Sequence, residues 1–150
     1  MKTLDWILRL ALAAVFAGAA VTKIYNPAEF HGAIQTYRML PAILVAPLTL
    51  WLPWVELCTA VALLWPRHRR AALWIVLALS IVFLIAISQA WWRGLDIICG
   101  CFGRPETVSG PAFRDYLLRD LAFLAAATWL LLREWFVVHN QPKPMVPLRS

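Results

Sequence analysis

Pro66-Arg67-His68-Arg69-Arg70, followed directly by AALWIVLALSIVFLIAISQAWW over Ala71 to Trp92, decides the fold class. The second part carries no charge, and a helix rising about 1.5 Å per residue crosses the ~30 Å hydrocarbon core of a bilayer in this length. Segments of this kind are buried in lipid rather than in a soluble core. The dense basic turn ahead of it is placed on the cytoplasmic side by the positive-inside rule. That rule sends both termini, with Lys2, Arg133, Lys143 and Arg149, to the same side. The remaining loops then face outward, as expected of a multi-pass protein of the inner (cytoplasmic) membrane with its external loops in the periplasm.

The rest of the chain agrees with this reading. Its 150 residues are 62% hydrophobic and 15% charged, with a mean hydropathy of +0.69 and nine tryptophans, whereas soluble domains are closer to about one half apolar. The net charge of +6 sits at the ends of apolar runs, where cations set topology and meet anionic headgroups. No basic, aromatic-interleaved patch suits nucleic acid, so membrane lipid is the expected surface partner and nucleic acid is not.

Toward the N-terminus, a segment from about Asp5 to about Tyr25 has spanning length. Lys2 and Ala17-Gly18-Ala19 imitate a signal peptide, but Asp5 and Arg9 interrupt its core, so a retained helix is expected. Within it Ala14 and Gly18 form a small-xxx-small pair of the type that admits a neighbouring helix. Asn26-Pro27-Ala28-Glu29 reads as a helix start, with Asn26 as N-cap, Pro27 first and Glu29 reaching back as in a capping box. Phe30, Ile34 and Tyr37 then share one face, beside His31, Gln35 and Arg38, which predicts a short amphipathic helix lying in the interface.

A further span runs from about Pro41 to Trp65, with Pro47 and Pro53 inside it and Glu56 near its middle. A carboxyl at that depth costs on the order of 3 kcal/mol, so it should face inward, paired or protonated, with Lys23 or Arg9 as partner. Cys58 in the same segment reads as a small buried hydrophobe. The final span, about 112–138, carries Asp115 and Arg119 at i, i+4 spacing. It also places Arg119 and Asp120 near the level of Lys23, so that Lys23, Arg119 and Asp120 are candidates for an interior polar cluster. The expected architecture is all-α: an integral membrane four-helix bundle over residues 1–140, with an interfacial helix after the first span. The spans are about 5–25, 41–65, 71–92 and 112–138, the external loops 26–40 and 93–111, and 141–150 a Pro-rich disordered tail.

The external loop 93–111 carries the chemistry. It contains Asp96-Ile97-Ile98-Cys99-Gly100-Cys101-Phe102-Gly103, in an irregular stretch rich in glycine. Gly100 tolerates the dihedrals that would bring Cys99 and Cys101 within disulfide reach. So small a ring would be strained, hence easily reduced and prone to exchange. A static staple, two free thiols and two soft ligands for a copper-like ion are the alternatives. An outward-facing loop suits disulfide chemistry, which persists in oxidising compartments, and cations behind Cys99 would favour its thiolate. His31, His68 and His139 are dispersed, and the chain has no P-loop, HExxH, catalytic triad or dinucleotide fingerprint.

Ala17-Gly18, Lys23-Ile24, Asn26-Pro27, Tyr37, Pro41, Pro53-Trp54-Val55-Glu56, Cys99-Gly100-Cys101-Phe102-Gly103 and Arg119-Asp120 together resemble the MauE branch of the MauE/DoxX membrane proteins. The resemblance spans nearly the whole chain apart from the tail, and the CGCFG loop is its most specific piece. It implies a four-helix membrane bundle associated with redox chemistry. MauE-type proteins are linked to maturation of a periplasmic methylamine dehydrogenase, whose small subunit is rich in disulfides, alongside a thioredoxin-like partner. DoxX-type relatives are linked to quinone-coupled sulfur oxidation. On this resemblance Cys99 and Cys101 are the redox pair, supported by Gly100, Phe102 and Gly103, and Lys23, Glu56, Arg119 and Asp120 are polar core positions. A thioredoxin-like periplasmic protein and a disulfide-containing client are then the expected partners, and a quinone is the cofactor to consider.

Overall fold

A computed structural model describes residues 2–98, 107–108 and 112–139. Five helices and a two-stranded ribbon follow in the order α1 (Lys2–Tyr25), α2 (Pro27–Thr36), α3 (Ala42–Leu64), α4 (Arg69–Trp92), β1 (Ile97–Ile98), β2 (Thr107–Val108) and α5 (Ala112–His139). Three of them, α1 from Thr3, α3 and α4, are long and apolar enough to cross a membrane. The exposure of their residues points the same way. All nine tryptophans are at least 47% exposed, as are Ile7, Ile43, Leu50 and Val82, a distribution that water would penalise at about 25 cal/mol per Å² and lipid does not. This is a mostly helical membrane protein. The 28-residue α5 has the length to cross, yet Arg114, Asp115, Arg119, Asp120, Arg133 and Glu134 lie along it, so its composition does not class it with the other three.

The long helices run antiparallel in sequence order. The middle of α1, the end of α3, the start of α4 and the second half of α5 meet in one apolar cluster built on Leu12, Phe16, Leu63, Leu73, Val76 and Leu130. At the opposite end, Ile87 and Ala90 of α4, Ile97 of β1, Val108 of β2 and Phe113 of α5 form a second cluster, with Tyr37 and Leu95 packed against it. The chain enters that cluster through the turn after α4. Gly94 adopts φ +60°, its N–H donates to Trp91 O and that of Leu95 to Ala90 O, the paired bonds of a Schellman cap. This turn delivers β1 to β2, with Ile97 opposite Val108 and Ile98 opposite Thr107. A paired ribbon thus stands at the two ends of the stretch that the glycine-rich composition had suggested as an irregular connection, because Ile97 and Val108 find a buried site against α4 and α5.

The helix after Asn26 forms with Pro27 in its first turn, but the capping box does not. Asn26 makes no side-chain cap bond, and its backbone N–H, which Glu29 would have accepted, is already given to Thr22 O at the end of α1. Phe30 and Ala33 of α2 are buried, and the helix packs on α3 and β1. The Ala14 and Gly18 pair does not seat a neighbouring helix of this chain: Ala14 is exposed, and a Cβ at Gly18 would meet nothing within 4 Å.

Candidate functional site

Lys23 occupies the last turn of α1 and Glu56 the middle of α3, and the antiparallel packing of the two helices brings them together. Lys23 Nζ donates to Glu56 Oε1 at 2.5 Å, with the side chains only 3% and 2% exposed. Phe30 and Phe83 present their rings to the same ammonium at 5.0 and 5.4 Å, a cation–π arrangement that gains strength out of water. Isolated burial would cost each ion several kcal/mol, so the pairing is what makes this depth tolerable. It leaves Glu56 Oε2 without a protein partner among the described residues.

From α5, Arg119 donates to Asp120 Oδ1 at 3.3 and 3.4 Å, and its guanidinium lies 4.9 Å from the Tyr116 ring centre. Asp115, one turn earlier on the same helix, is exposed. Asp120 is buried, and its Oδ2 is likewise without a protein partner among the described residues. Lys23, Glu56, Arg119 and Asp120 line one cavity of about 50 Å³, together with Ser80, Phe83 and Phe123. A cavity of that volume with two unpartnered carboxylate oxygens suits one or a few waters. It is far below the ~300 Å³ of a typical small-molecule pocket.

Cys99, Gly100, Cys101, Phe102 and Gly103 lie outside the described residues, as does the 141–150 tail. The residue before the cysteines is well placed. Ile98 donates its backbone N–H to Thr36 Oγ1 at 3.2 Å, while the same hydroxyl donates to Ala33 O at 2.7 Å. Thr36 therefore uses its donor and an acceptor together to tie β1 to the end of α2. On α2, His31 Nδ1 lies 3.2 Å from Thr49 Oγ1 of α3, which fixes the short helix to the bundle. The amphipathic spacing of α2 was legible in the sequence, but the role of Thr36 was not, since a lone threonine at a helix end carries no signal of a distant partner.

The other end of the bundle holds a second buried cluster. Glu134 of α5, 5% exposed, takes Arg9 of α1 at 2.9 Å, Arg69 at 2.7 Å and Arg70 at 3.4 Å, both of α4. Arg133 reaches Asp5 at 3.6 Å. Arg9 is thus committed to Glu134 and is not the partner of Glu56. The signal was available: Arg9 lies one to two turns inside the start of α1, and Glu134 at a matching depth before the end of α5. Cys58 also departs from expectation. It is exposed, because the buried stripe of α3 runs through Val45, Thr49, Pro53, Glu56, Thr59, Ala60 and Leu63. Among the described residues no group of three or more His, Cys, Asp or Glu side chains could hold a metal ion.

A mostly helical membrane protein with ion pairs buried at both ends of its bundle is the class these features define. The sequence profile of the family described as Methylamine utilisation protein MauE matches residues 1–133, and the chain belongs to that family. The Methylamine utilization protein MauE of Methylophilus methylotrophus is 41% identical over 122 residues, covering 81% of this chain and 64% of the relative. Those of Paracoccus versutus and Paracoccus denitrificans are each 37% identical, over 83% of this chain and 69% of their own length. The chain therefore spans about two thirds of the length of these relatives. No solved structure matches it.

Proposed function

We propose that this chain is a membrane accessory protein of methylamine utilisation that exchanges thiol and disulfide equivalents through Cys99 and Cys101. In this reading α5 is a fourth spanning helix, the bundle sits in the inner membrane with both termini in the cytoplasm, and the cysteine loop faces the periplasm. A thiolate of a thioredoxin-like partner attacks one sulfur of a Cys99–Cys101 disulfide, a mixed disulfide forms, and the second cysteine leaves as thiolate. The partner's second thiol then resolves the mixed disulfide. Two electrons and two protons pass from the partner to the loop, and the oxidised partner carries the disulfide to a periplasmic client. A membrane quinone or a second protein reoxidises the loop.

The observation that carries the reading is the anchoring of Ile98. The residue immediately before Cys99 is tied by Thr36 and by pairing with β2 to an apolar cluster. A pair of thiols that must meet another protein's sulfur in line gains from a fixed base of this kind. The names of the relatives supply the pathway, and the CGCFG motif supplies the chemistry.

Thiol trapping in intact membranes tests it. A large alkylating reagent followed by a non-reducing gel should leave wild-type Cys99 and Cys101 unmodified until a reductant is added. The Cys101→Ser variant should accumulate an adduct of partner size. Fully reactive thiols in the wild type, with no adduct in the variant, would overturn the proposal.

A further inference from the structure

We infer that the arginine-rich end of the bundle seats one anionic phospholipid, its phosphate on Arg70 and an acyl chain in the groove between α4 and α5. The inference is independent of the cysteine chemistry and stands or falls separately from it.

The charges at this end do not balance. Arg9, Arg69, Arg70 and Arg133 face Asp5 and Glu134, so three guanidinium groups share one carboxylate and the cluster keeps an excess of two positive charges. Glu134 is the buried member, whereas the side chains of Arg69 and Arg70 are 38% and 51% exposed. The uncompensated charge is therefore on the exposed surface of the bundle, at the helix ends where a spanning bundle meets lipid headgroups. Arg70 is anchored from behind, donating through Nη2 to Glu134 O at 3.1 Å, which orients its planar group without consuming its exposed side.

Immediately deeper lies a groove of about 500 Å³ with Arg70 and Glu134 at its mouth and Trp74, Thr128, Leu131 and Trp135 along it. From Arg70 to Trp74 and from Glu134 to Leu131 and Thr128, each helix steps one to two turns inward, so the charged mouth gives way to an almost wholly apolar slot. A soluble anion would use the mouth and leave the slot empty, and a zwitterionic lipid would use the slot without relieving the excess charge. An anionic lipid does both. The indole rings of Trp74 and Trp135 within one turn of the mouth suit the same place, since tryptophan favours the headgroup boundary.

Native mass spectrometry of the full-length, detergent-purified chain tests this with phosphatidylglycerol and phosphatidylcholine of identical acyl chains. The wild type should retain one phosphatidylglycerol per chain in preference to phosphatidylcholine. Arg70→Gln should lower that preference about five-fold, the ratio expected for one cation near an anionic headgroup, and Arg70→Lys should restore most of it. Thr128→Trp, at an exposed position away from the ion cluster, should fill the slot and weaken both lipids while the arginines stay in place. Equal retention of the two lipids by the wild type would overturn the inference, as would unchanged preference in Arg70→Gln. So would displacement by chain-free glycerophosphoglycerol at the concentration at which the lipid itself binds, or a dimer whose formation excludes the lipid.

Discussion

Removing Lys23 and removing Glu56 should not cost the same, and the difference follows from where each side chain sits. With Glu56→Met, the stranded ammonium is in the last turn of α1, and its long stem can turn toward the interface. With Lys23→Met, the stranded carboxylate is in the middle of α3, 2% exposed, and has no such route. It can only take up a proton, and a carboxyl that ionises near 4.3 in water takes one at pH 7 at a cost of about 3.7 kcal/mol. Lys23→Met should therefore destabilise the protein by about 3–4 kcal/mol, Glu56→Met by less, and the double variant by less than Lys23→Met alone, because matched apolar chains replace a buried pair at little net cost. The pH dependence has a definite sign. Folded Lys23→Met holds a proton that its unfolded chain releases above about pH 4.3, so its stability falls as pH rises toward 7 and recovers by about 1.4 kcal/mol per unit as pH is lowered. Denaturation in detergent, followed by tryptophan fluorescence at several pH values, measures all four proteins. A double variant whose loss equals the sum of the two singles, or a Lys23→Met loss that does not shrink toward acid, would refute the argument.

Gly94→Ala should cost about 1–2 kcal/mol, the price of a left-handed backbone alone, since a Cβ there meets nothing within 4 Å; thermal denaturation checks it. Thr36→Val removes the acceptor of Ile98 N–H, and amide exchange at Ile98 should accelerate about ten-fold or more, as expected for a lost hydrogen bond of about 1.5 kcal/mol. The exchange Arg9→Glu with Glu134→Arg should stay less stable than Arg9→Glu alone, because Arg69 and Arg70 would then face an arginine in place of their carboxylate. Lys23→Glu with Glu56→Lys should instead recover part of the loss of its singles, incompletely because a carboxylate gains nothing from the faces of Phe30 and Phe83. Melting temperatures of the six proteins measure both.

Spans were legible because lipid imposes one rule along a whole segment: α1, α3 and α4 fall within a few residues of the expected 5–25, 41–65 and 71–92, and an uncharged run such as Ala71 to Trp92 has few alternatives. What was not legible depends on which helix faces meet. Glu56 signalled its own need for a partner, yet choosing Lys23 over Arg9 took the depth match of Arg9 with Glu134 on α5, which the hydropathy of α1 and α3 alone does not carry. Ala14 and Gly18 have the right spacing for close helix contact but lie on a face that the chain leaves open. Cys58 sits one position outside a stripe that only the packing of α3 reveals. The ribbon of Ile97-Ile98 with Thr107-Val108 was hidden because each strand is two residues long, too short for any periodicity, and is held by long-range burial rather than local preference.

The two buried clusters make a common argument about how α1 is positioned. In lipid, apolar helix faces gain little from meeting each other rather than acyl chains, so polar contacts carry more of the specificity. Lys23 binds α1 to α3 at one end, and Arg9 binds it to α5 at the other. The two contacts are 14 residues apart, about 21 Å along the helix. A slip of one residue would rotate α1 by about 100° and turn both cations from their carboxylates at once. Either pair alone would permit α1 to pivot, but together they fix both its depth and its rotation. Buried ion pairs are weak evidence for stability, and fixing register is their best-attested use. Here the register has a consequence along the chain. Asn26 N–H bonds to Thr22 O, so the end of α1 sets the start of α2, and Thr36 at the far end of α2 holds Ile98. The position of the residue that precedes Cys99 is thus inherited, step by step, from the charges that hold α1.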